Sequence, residues 1–158
     1  MKKVKFYLHD RKCNILEKKR LKSFIEKMFY EEKRALRSIN FIFCSDNYLL
    51  GINKRFLNHD FYTDVITFEL SPYGAEVEGE VYISVDRVKE NAKKAGVLTY
   101  EELHRVIFHG VLHLCGYQDK KKREILKMRS LEEKNLKLYL HETNSLVSRE
   151  TIFLRGRP

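Results

Sequence analysis

Hydrophobic and polar residues alternate along this chain with two different periods, and the change of period marks the secondary-structure elements. Stretches that alternate, or that are rich in β-branched and aromatic residues, predict strands. Four such stretches are found, at residues 4–8, 38–44, 64–70 and 81–83. Elsewhere the apolar residues recur three and four positions apart, a spacing that predicts amphipathic helices.

Five helices are predicted, and four of them begin at a residue whose side chain can accept a hydrogen bond from the first helical turn. The expected N-caps are Asn14, Ser45, Ser84 and Thr99, the last forming a capping box with Glu102. Gly96 and Gly116 are expected to end the third and fourth helices. The fifth helix is predicted at about residues 121–140.

This order of elements predicts an α+β fold with a mixed four-stranded sheet and about five helices packed on it. A chain of 158 residues fits a single domain. We expect residues 1–142 to form that domain and residues 143–158 to be a C-terminal extension.

The chain carries a net charge of +9, and the positive excess lies in residues 1–34 and 119–158 rather than in the slightly acidic middle. Such a distribution suits an anionic partner, although a merely solvated surface would produce it too. No apolar run is long enough to span a bilayer, and no signal peptide follows the basic N-terminus. The three cysteines form no disulfide framework. We therefore expect a cytoplasmic protein without a membrane partner.

The residues that indicate chemistry lie at the end of the fourth helix. His109 and His113 are four residues apart and would leave the same helical face, where two imidazoles can share one metal ion. After Gly116 the chain can reverse and bring back Asp119 as a third ligand, which leaves a position open for water as in catalytic sites. Zinc is the first candidate for this one divalent ion, and manganese, iron or nickel would also fit.

Three blocks of this sequence resemble the YbeY-type endoribonucleases, a family of rRNA maturation factors. The segment from His109 to Tyr117 resembles the family pattern H-G-x-L-H-L-x-G-Y, and residues 52–68 and 79–84 resemble two further blocks in the same order. Together the blocks cover most of residues 50–120. The third histidine of the family is Asp119 here, so the chain resembles a variant with two histidines and a carboxylate. We expect Gly110 to permit close packing against the strand at residues 65–68.

A further departure is Leu57, which stands where many family members carry an arginine thought to handle RNA. Lys54, Arg55 or His59 could supply the missing cation to the substrate. The basic run that begins at Lys120 is either a phosphate-steering patch or a solvated start of a helix.

The resemblance implies metal-dependent cleavage of single-stranded RNA, with His109, His113 and Asp119 acting through the bound ion and its water. It implies a role in rRNA processing, namely maturation of the small-subunit (16S) rRNA 3′ end, and in ribosome quality control, with the ribosomal small subunit as partner. Asp64 is either an outer residue that orients a ligand histidine or an ordinary turn carboxylate.

Two other functions stay open: a non-catalytic, metal-stabilised ribosome assembly factor, and a metal-dependent hydrolase of another class such as a peptidase. Position 110 is glycine where H-E-x-x-H metalloproteases carry their general base, so that mechanism does not transfer to this chain. The identity of the base stays open among Glu69, Glu80, His59 and unaided action of the metal and its water.

Overall fold

The structure is a computed structural model that describes residues 2–147, with side chains described for residues 2–141. Its four strands are β1 (Val4–Leu8), β2 (Leu36–Cys44), β3 (Val65–Glu69) and β4 (Val77–Ser84). Its five helices are α1 (Lys18–Glu31), α2 (Asp46–Leu57), α3 (Val85–Ala95), α4 (Thr99–Leu114) and α5 (Lys122–Val147). None of the helices in this described part is long and apolar enough to cross a membrane.

The strands form one mixed sheet in the order β1-β2-β4-β3. β1, β2 and β4 run parallel, and β3 pairs antiparallel with β4 at one edge. The expected α+β fold with a mixed four-stranded sheet and five helices is thus confirmed. Of the expected extension, residues 143–147 belong to α5 and residues 148–158 lie outside the described part.

Successive side chains of a strand point to opposite faces of the sheet, and different helices cover the two faces here. Phe41 and Thr67 are both aligned with Val81 across the sheet, so these three side chains share one face. That face belongs to the main core, to which α1, α4 and α5 also contribute. The opposite face, carrying Ile66, is covered by α2 in a smaller second cluster.

Helix α4 lies against β4 because a glycine on each element leaves room for a side chain of the other. A Cβ built on Gly110 would lie 2.7 Å from Cγ1 of Val81, and one on Gly79 would lie 2.6 Å from Cδ1 of Leu114. The close packing expected at Gly110 is therefore present, but its partner is β4 rather than the strand at residues 65–68. The strand order explains the difference, because β4 lies inside the sheet and β3 at its edge.

Two of the four expected N-caps are found. The side-chain oxygens of Ser45 and Ser84 accept hydrogen bonds from backbone N–H groups in the first turns of α2 and α3. The predictions for Asn14 and Thr99 were wrong: α1 begins only at Lys18, and Thr99 already lies within α4. The segment before α1 is not helical, and its residue Ile15 is buried in the core with 6% exposure.

We expect Gly110→Ala to lower the free energy of unfolding by about 1–3 kcal/mol, as overpacking of a filled core does. Val81 is β-branched and buried, so it cannot rotate away from the added methyl group. Gly51→Ala is the matched control: it lies inside α2 with nothing within 4 Å of its Cβ, and should stabilise by about 0.5–1 kcal/mol. Urea denaturation of both variants measures the effect, and equal stability of Gly110→Ala and the wild type would contradict the packing argument.

Candidate metal centre

The C-terminal end of α4 is shaped by a Schellman motif. The N–H of Tyr117 bonds to the carbonyl of Leu112 at 3.1 Å, and the N–H of Gly116 bonds to the carbonyl of His113 at 3.0 Å. Gly116 has a φ of 106°, a left-handed conformation that a side chain would disfavour. The chain consequently reverses within a few residues and returns alongside the last turn of the helix.

This reversal brings three ligand atoms together. Nε2 of His113 lies 3.0 Å from Nε2 of His109 and 3.2 Å from Oδ2 of Asp119, which is itself 3.3 Å from Nε2 of His109. A tetrahedral ion bound at about 2.0–2.1 Å needs two nitrogens roughly 3.3 Å apart, so these spacings suit one ion. Among the residues that the structure describes, only this group of histidine, cysteine and acidic side chains converges in the way metal ligands do.

The hydrogen bonds of the two Nδ1 atoms determine that each histidine presents its Nε2 to the cluster. Nδ1 of His109 is 3.2 Å from a carboxylate oxygen of Glu132, and Nδ1 of His113 is 2.9 Å from the carbonyl of Tyr117. Both partners can only accept, so each neutral imidazole carries its proton on Nδ1. Each Nε2 then presents a lone pair towards the other and towards the Asp119 carboxylate. Three acceptors in contact require a cation or a proton between them.

The pKa values of the two histidines are shifted in opposite directions. Burial alone would lower the pKa of His109, but the hydrogen bond and charge of Glu132, together with the charges of Asp119 and Asp64, outweigh it and leave that pKa raised. Burial and the neighbouring charge of His109 together lower the pKa of His113. In the absence of a metal ion, His109 is therefore the nitrogen base that takes the proton first.

Carboxylates behind the histidines make the centre electronegative. Burial raises the pKa of Asp64, and the charge of Glu132 adds to the rise while His109 opposes it. Burial likewise raises the pKa of Glu102, with the charges of Asp64 and Glu132 contributing. The charges of Glu132, Asp119 and Asp64 act on His109, so these three carboxylates lie close enough to favour a cation there.

Glu132 is the residue at this centre that the sequence analysis missed. It is 8% exposed, lies on α5 and bonds to a ring nitrogen of His109. Asp64, expected as an outer partner of a ligand histidine, influences His109 through its charge, whereas the hydrogen bond comes from Glu132. The role of Asp64 stays a prediction. A signal for Glu132 does exist, since an acidic residue is unusual on the apolar face of a helix.

The residues expected to contact substrate have partners within their own segment, α2 and the loop that follows it. Lys54 forms an ion pair of 3.1 Å with Asp60, and the ring of His59 stacks on Phe61. Arg55 lines a groove on the sheet face opposite α4. Their role with RNA stays a prediction.

Two of the candidate bases are engaged elsewhere. Glu69 pairs with Arg34 at 2.9 Å, and Glu80 accepts a hydrogen bond from the hydroxyl of Tyr82 at 2.7 Å. Because Val81 faces α4, its neighbour Glu80 points to the other side of the sheet. Neither position suits proton transfer at the histidine cluster.

The fold and the cluster together define a single-domain α+β protein with a three-ligand site of the kind that holds a catalytic metal ion. The model of the family described as endoribonuclease YbeY matches residues 6–140. The chain belongs to this family, as the three sequence blocks predict.

Individual relatives agree with the family assignment. An endoribonuclease YbeY from Flavobacterium psychrophilum is 50% identical over 117 residues, which are 74% of this chain and 83% of the relative. One from Cytophaga hutchinsonii is 41% identical over 133 residues, 84% and 93% of the two chains. The solution structure of TM1509 from Thermotoga maritima superimposes with a TM-score of 0.61 at 26% identity, covering 92% of this chain and 95% of that one.

We expect Glu132→Gln to lower the pKa of His109 in the metal-free protein. The substitution removes the largest effect that raises this pKa, so that burial of the ring is opposed only by the charges of Asp119 and Asp64. NMR titration of the ring protons measures the shift. Glu133→Gln is the matched control, because that neighbouring carboxylate pairs instead with Arg105 at 3.3 Å. An unchanged pKa of His109 in Glu132→Gln would show that Glu132 does not govern it.

Proposed function

We propose that this protein is a metal-dependent endoribonuclease that cleaves single-stranded RNA, with one divalent ion, zinc in the first instance, held by His109, His113 and Asp119. The observation that carries the proposal is the convergence of three potential ligand atoms, Nε2 of His109, Nε2 of His113 and Oδ2 of Asp119, within 3.3 Å of one another. When bound, such an ion lowers the pKa of a water molecule and polarises a phosphoryl oxygen. The family to which the chain belongs supplies the reaction class.

The chain's own residues prepare the ligands. Glu132 and the Tyr117 carbonyl hold protons on the two Nδ1 atoms, which orients both rings and leaves each Nε2 free to bind. Asp119 is the more open ligand, with 37% of its side chain exposed against 19% for His109. Substrate would therefore approach from the side of Asp119. Gly110, where H-E-x-x-H peptidases carry a base, instead packs on Val81, which argues against peptide hydrolysis by that mechanism.

The substrate we propose is rRNA, and the reaction is maturation of the small-subunit 3′ end within ribosome quality control in the cytoplasm. The support is the resemblance of the three motif blocks and the name that the relatives share. Incubation of the protein with precursor small subunits, followed by mapping of the rRNA 3′ end, tests this step. Cleavage of free single-stranded RNA without any change at that 3′ end would exclude this substrate while leaving the nuclease intact.

We expect Asp119→Ala to lose stoichiometric metal and to lower RNA cleavage by more than the roughly 10–100-fold that loss of an outer partner costs. A chelator should abolish the wild-type activity, and added zinc should restore it. Metal analysis and a labelled-RNA assay measure both effects, with the exposed His141→Ala as control. RNA binding without cleavage in the metal-loaded wild type would favour the assembly-factor alternative.

The exposed lysines after Asp119 should contribute to RNA binding through phosphate charge. Glu124 accepts hydrogen bonds from the N–H groups of Lys120 and Lys121, which offsets positive charge at the start of α5. For each lysine that contacts a phosphate, substitution to Gln should reduce the salt dependence of log Kd by about 0.7. Lys121→Gln is compared with Lys93→Gln on α3, and equal salt slopes would identify the run as a solvated helix start.

A further inference from the structure

A groove lies on the face of the sheet that α4 does not cover. It encloses about 610 Å³ between α2 and the strands β3 and β4. Phe56, Phe68 and Tyr82 contribute aromatic rings to its lining, and Arg55 and Glu80 contribute charges. A mostly apolar concavity with a few polar groups is the usual form of a small-ligand site.

The three rings meet edge to face and together form the aromatic wall of the groove. The centroids of Phe56 and Phe68 are 5.9 Å apart, and those of Phe68 and Tyr82 are 5.8 Å apart. Phe56 falls on the apolar stripe of α2 yet is 62% exposed. An aromatic side chain left open beside others offers a π-face on which a nucleobase can stack.

Glu80 gives the groove a specific polar partner. One of its carboxylate oxygens accepts the hydroxyl of Tyr82 at 2.7 Å, which holds the group in place. A carboxylate only accepts hydrogen bonds, so it suits a base edge that presents donors. Guanine presents two adjacent donors on its Watson–Crick edge, whereas the other bases place an acceptor beside each donor.

We propose that this groove binds a nucleobase of the single-stranded RNA, guanine by preference, stacked on the aromatic wall and hydrogen-bonded to Glu80. The inference rests on the proposed endoribonuclease function and adds a base-binding subsite to it. The guanidinium of Arg55 is exposed and lies 6.0 Å from the centroid of the Phe56 ring, and it would pair with the phosphate of the same nucleotide. An apolar peptide is a poorer occupant, because it would cover Glu80 without a matching pair of donors.

The groove and the metal centre are connected along β3. Asp64, whose charge reaches His109, directly precedes this strand, and Phe68 lies four residues further on. That separation is about 13 Å along the strand. β3 is the edge of the sheet, so an RNA strand passing around it can reach both faces. A base held in the groove would thus set which neighbouring phosphate reaches the metal.

Binding of a short oligoribonucleotide containing one guanine, measured in chelator to prevent cleavage, tests the proposal. Phe56→Leu should weaken binding about 5-fold or more, whereas Tyr30→Leu, which changes an even more exposed ring on α1, should not. Replacing guanine by inosine removes one donor and should weaken binding to the wild type. The same replacement should have little effect on Glu80→Gln.

Cleavage kinetics separate this proposal from the function on which it rests. With metal present, the groove variants should raise KM and leave kcat near the wild-type value, whereas ligand variants lose kcat. A wild type that neither binds nor cleaves RNA would overturn both proposals. If the wild type cleaves RNA and the groove variants bind RNA as tightly as the wild type does, the groove proposal alone is overturned. The same holds if an apolar peptide occupies the groove and RNA binding is unaffected.

Photocrosslinking gives a readout that does not depend on variants. An oligoribonucleotide carrying 6-thioguanosine in place of guanine should form adducts on the peptides that contain Phe56 or Tyr82. Adducts confined to other parts of the chain would place the base elsewhere and overturn the proposal.

Discussion

The close approach of α4 to β4 is the constraint on which the rest of the structure depends. Gly110 lies between His109 and His113, the two candidate ligand histidines on α4, and its missing side chain is what admits Val81. The same contact that packs the core therefore fixes the height of His109 and His113 above the sheet. A methyl group at position 110 would move the helix and, with it, two of the three candidate ligand atoms. Packing and chemistry are set by one glycine.

The second constraint is electrostatic. Folding brings two imidazole lone pairs and a carboxylate into contact, and it adds the buried carboxylate of Glu132 behind them. Such an arrangement is unfavourable without a positive charge at its centre. The metal-free protein can meet the requirement with a proton on His109, whose pKa is raised. A divalent ion meets it more completely, because it interacts with all three acceptors at once.

Local signals in the sequence account for much of this structure. Ser45 and Ser84 cap helices as expected, and the spacing of His109, His113 and Asp119 predicted their convergence, because each of these relations spans only a few residues. Relations between distant segments could not be predicted in the same way. Glu132 is 23 residues from His109, and only the packing of α5 on α4 brings them together.

Two predictions from the sequence were wrong, each for its own reason. The packing partner of Gly110 was predicted to be the wrong strand, because the residue pattern of a single strand does not determine the order of strands in the sheet. The capping box at Thr99 failed because Leu98 is the N-cap of α4, so Thr99 and Glu102 do not occupy the N-cap and N3 positions that the motif requires. For Gly110 a contact between distant segments decided the outcome, and for Thr99 a shift of the helix start by one residue did.

Successive side chains of β4 point to opposite faces of the sheet, one facing α4 and the metal centre and the other facing the groove. Gly79 and Val81 receive α4 and so support the metal centre, while Glu80 and Tyr82 point to the groove on the other side. A shift of β4 by one residue would exchange these sets, and would place a carboxylate against the core and a glycine in the groove. The register of this strand against β2 and β3 therefore specifies both sites at once. β3 is the edge strand next to β4, and Asp64, which directly precedes it, acts on His109 through its charge, so the proposed path of an RNA strand between the two faces runs around β3.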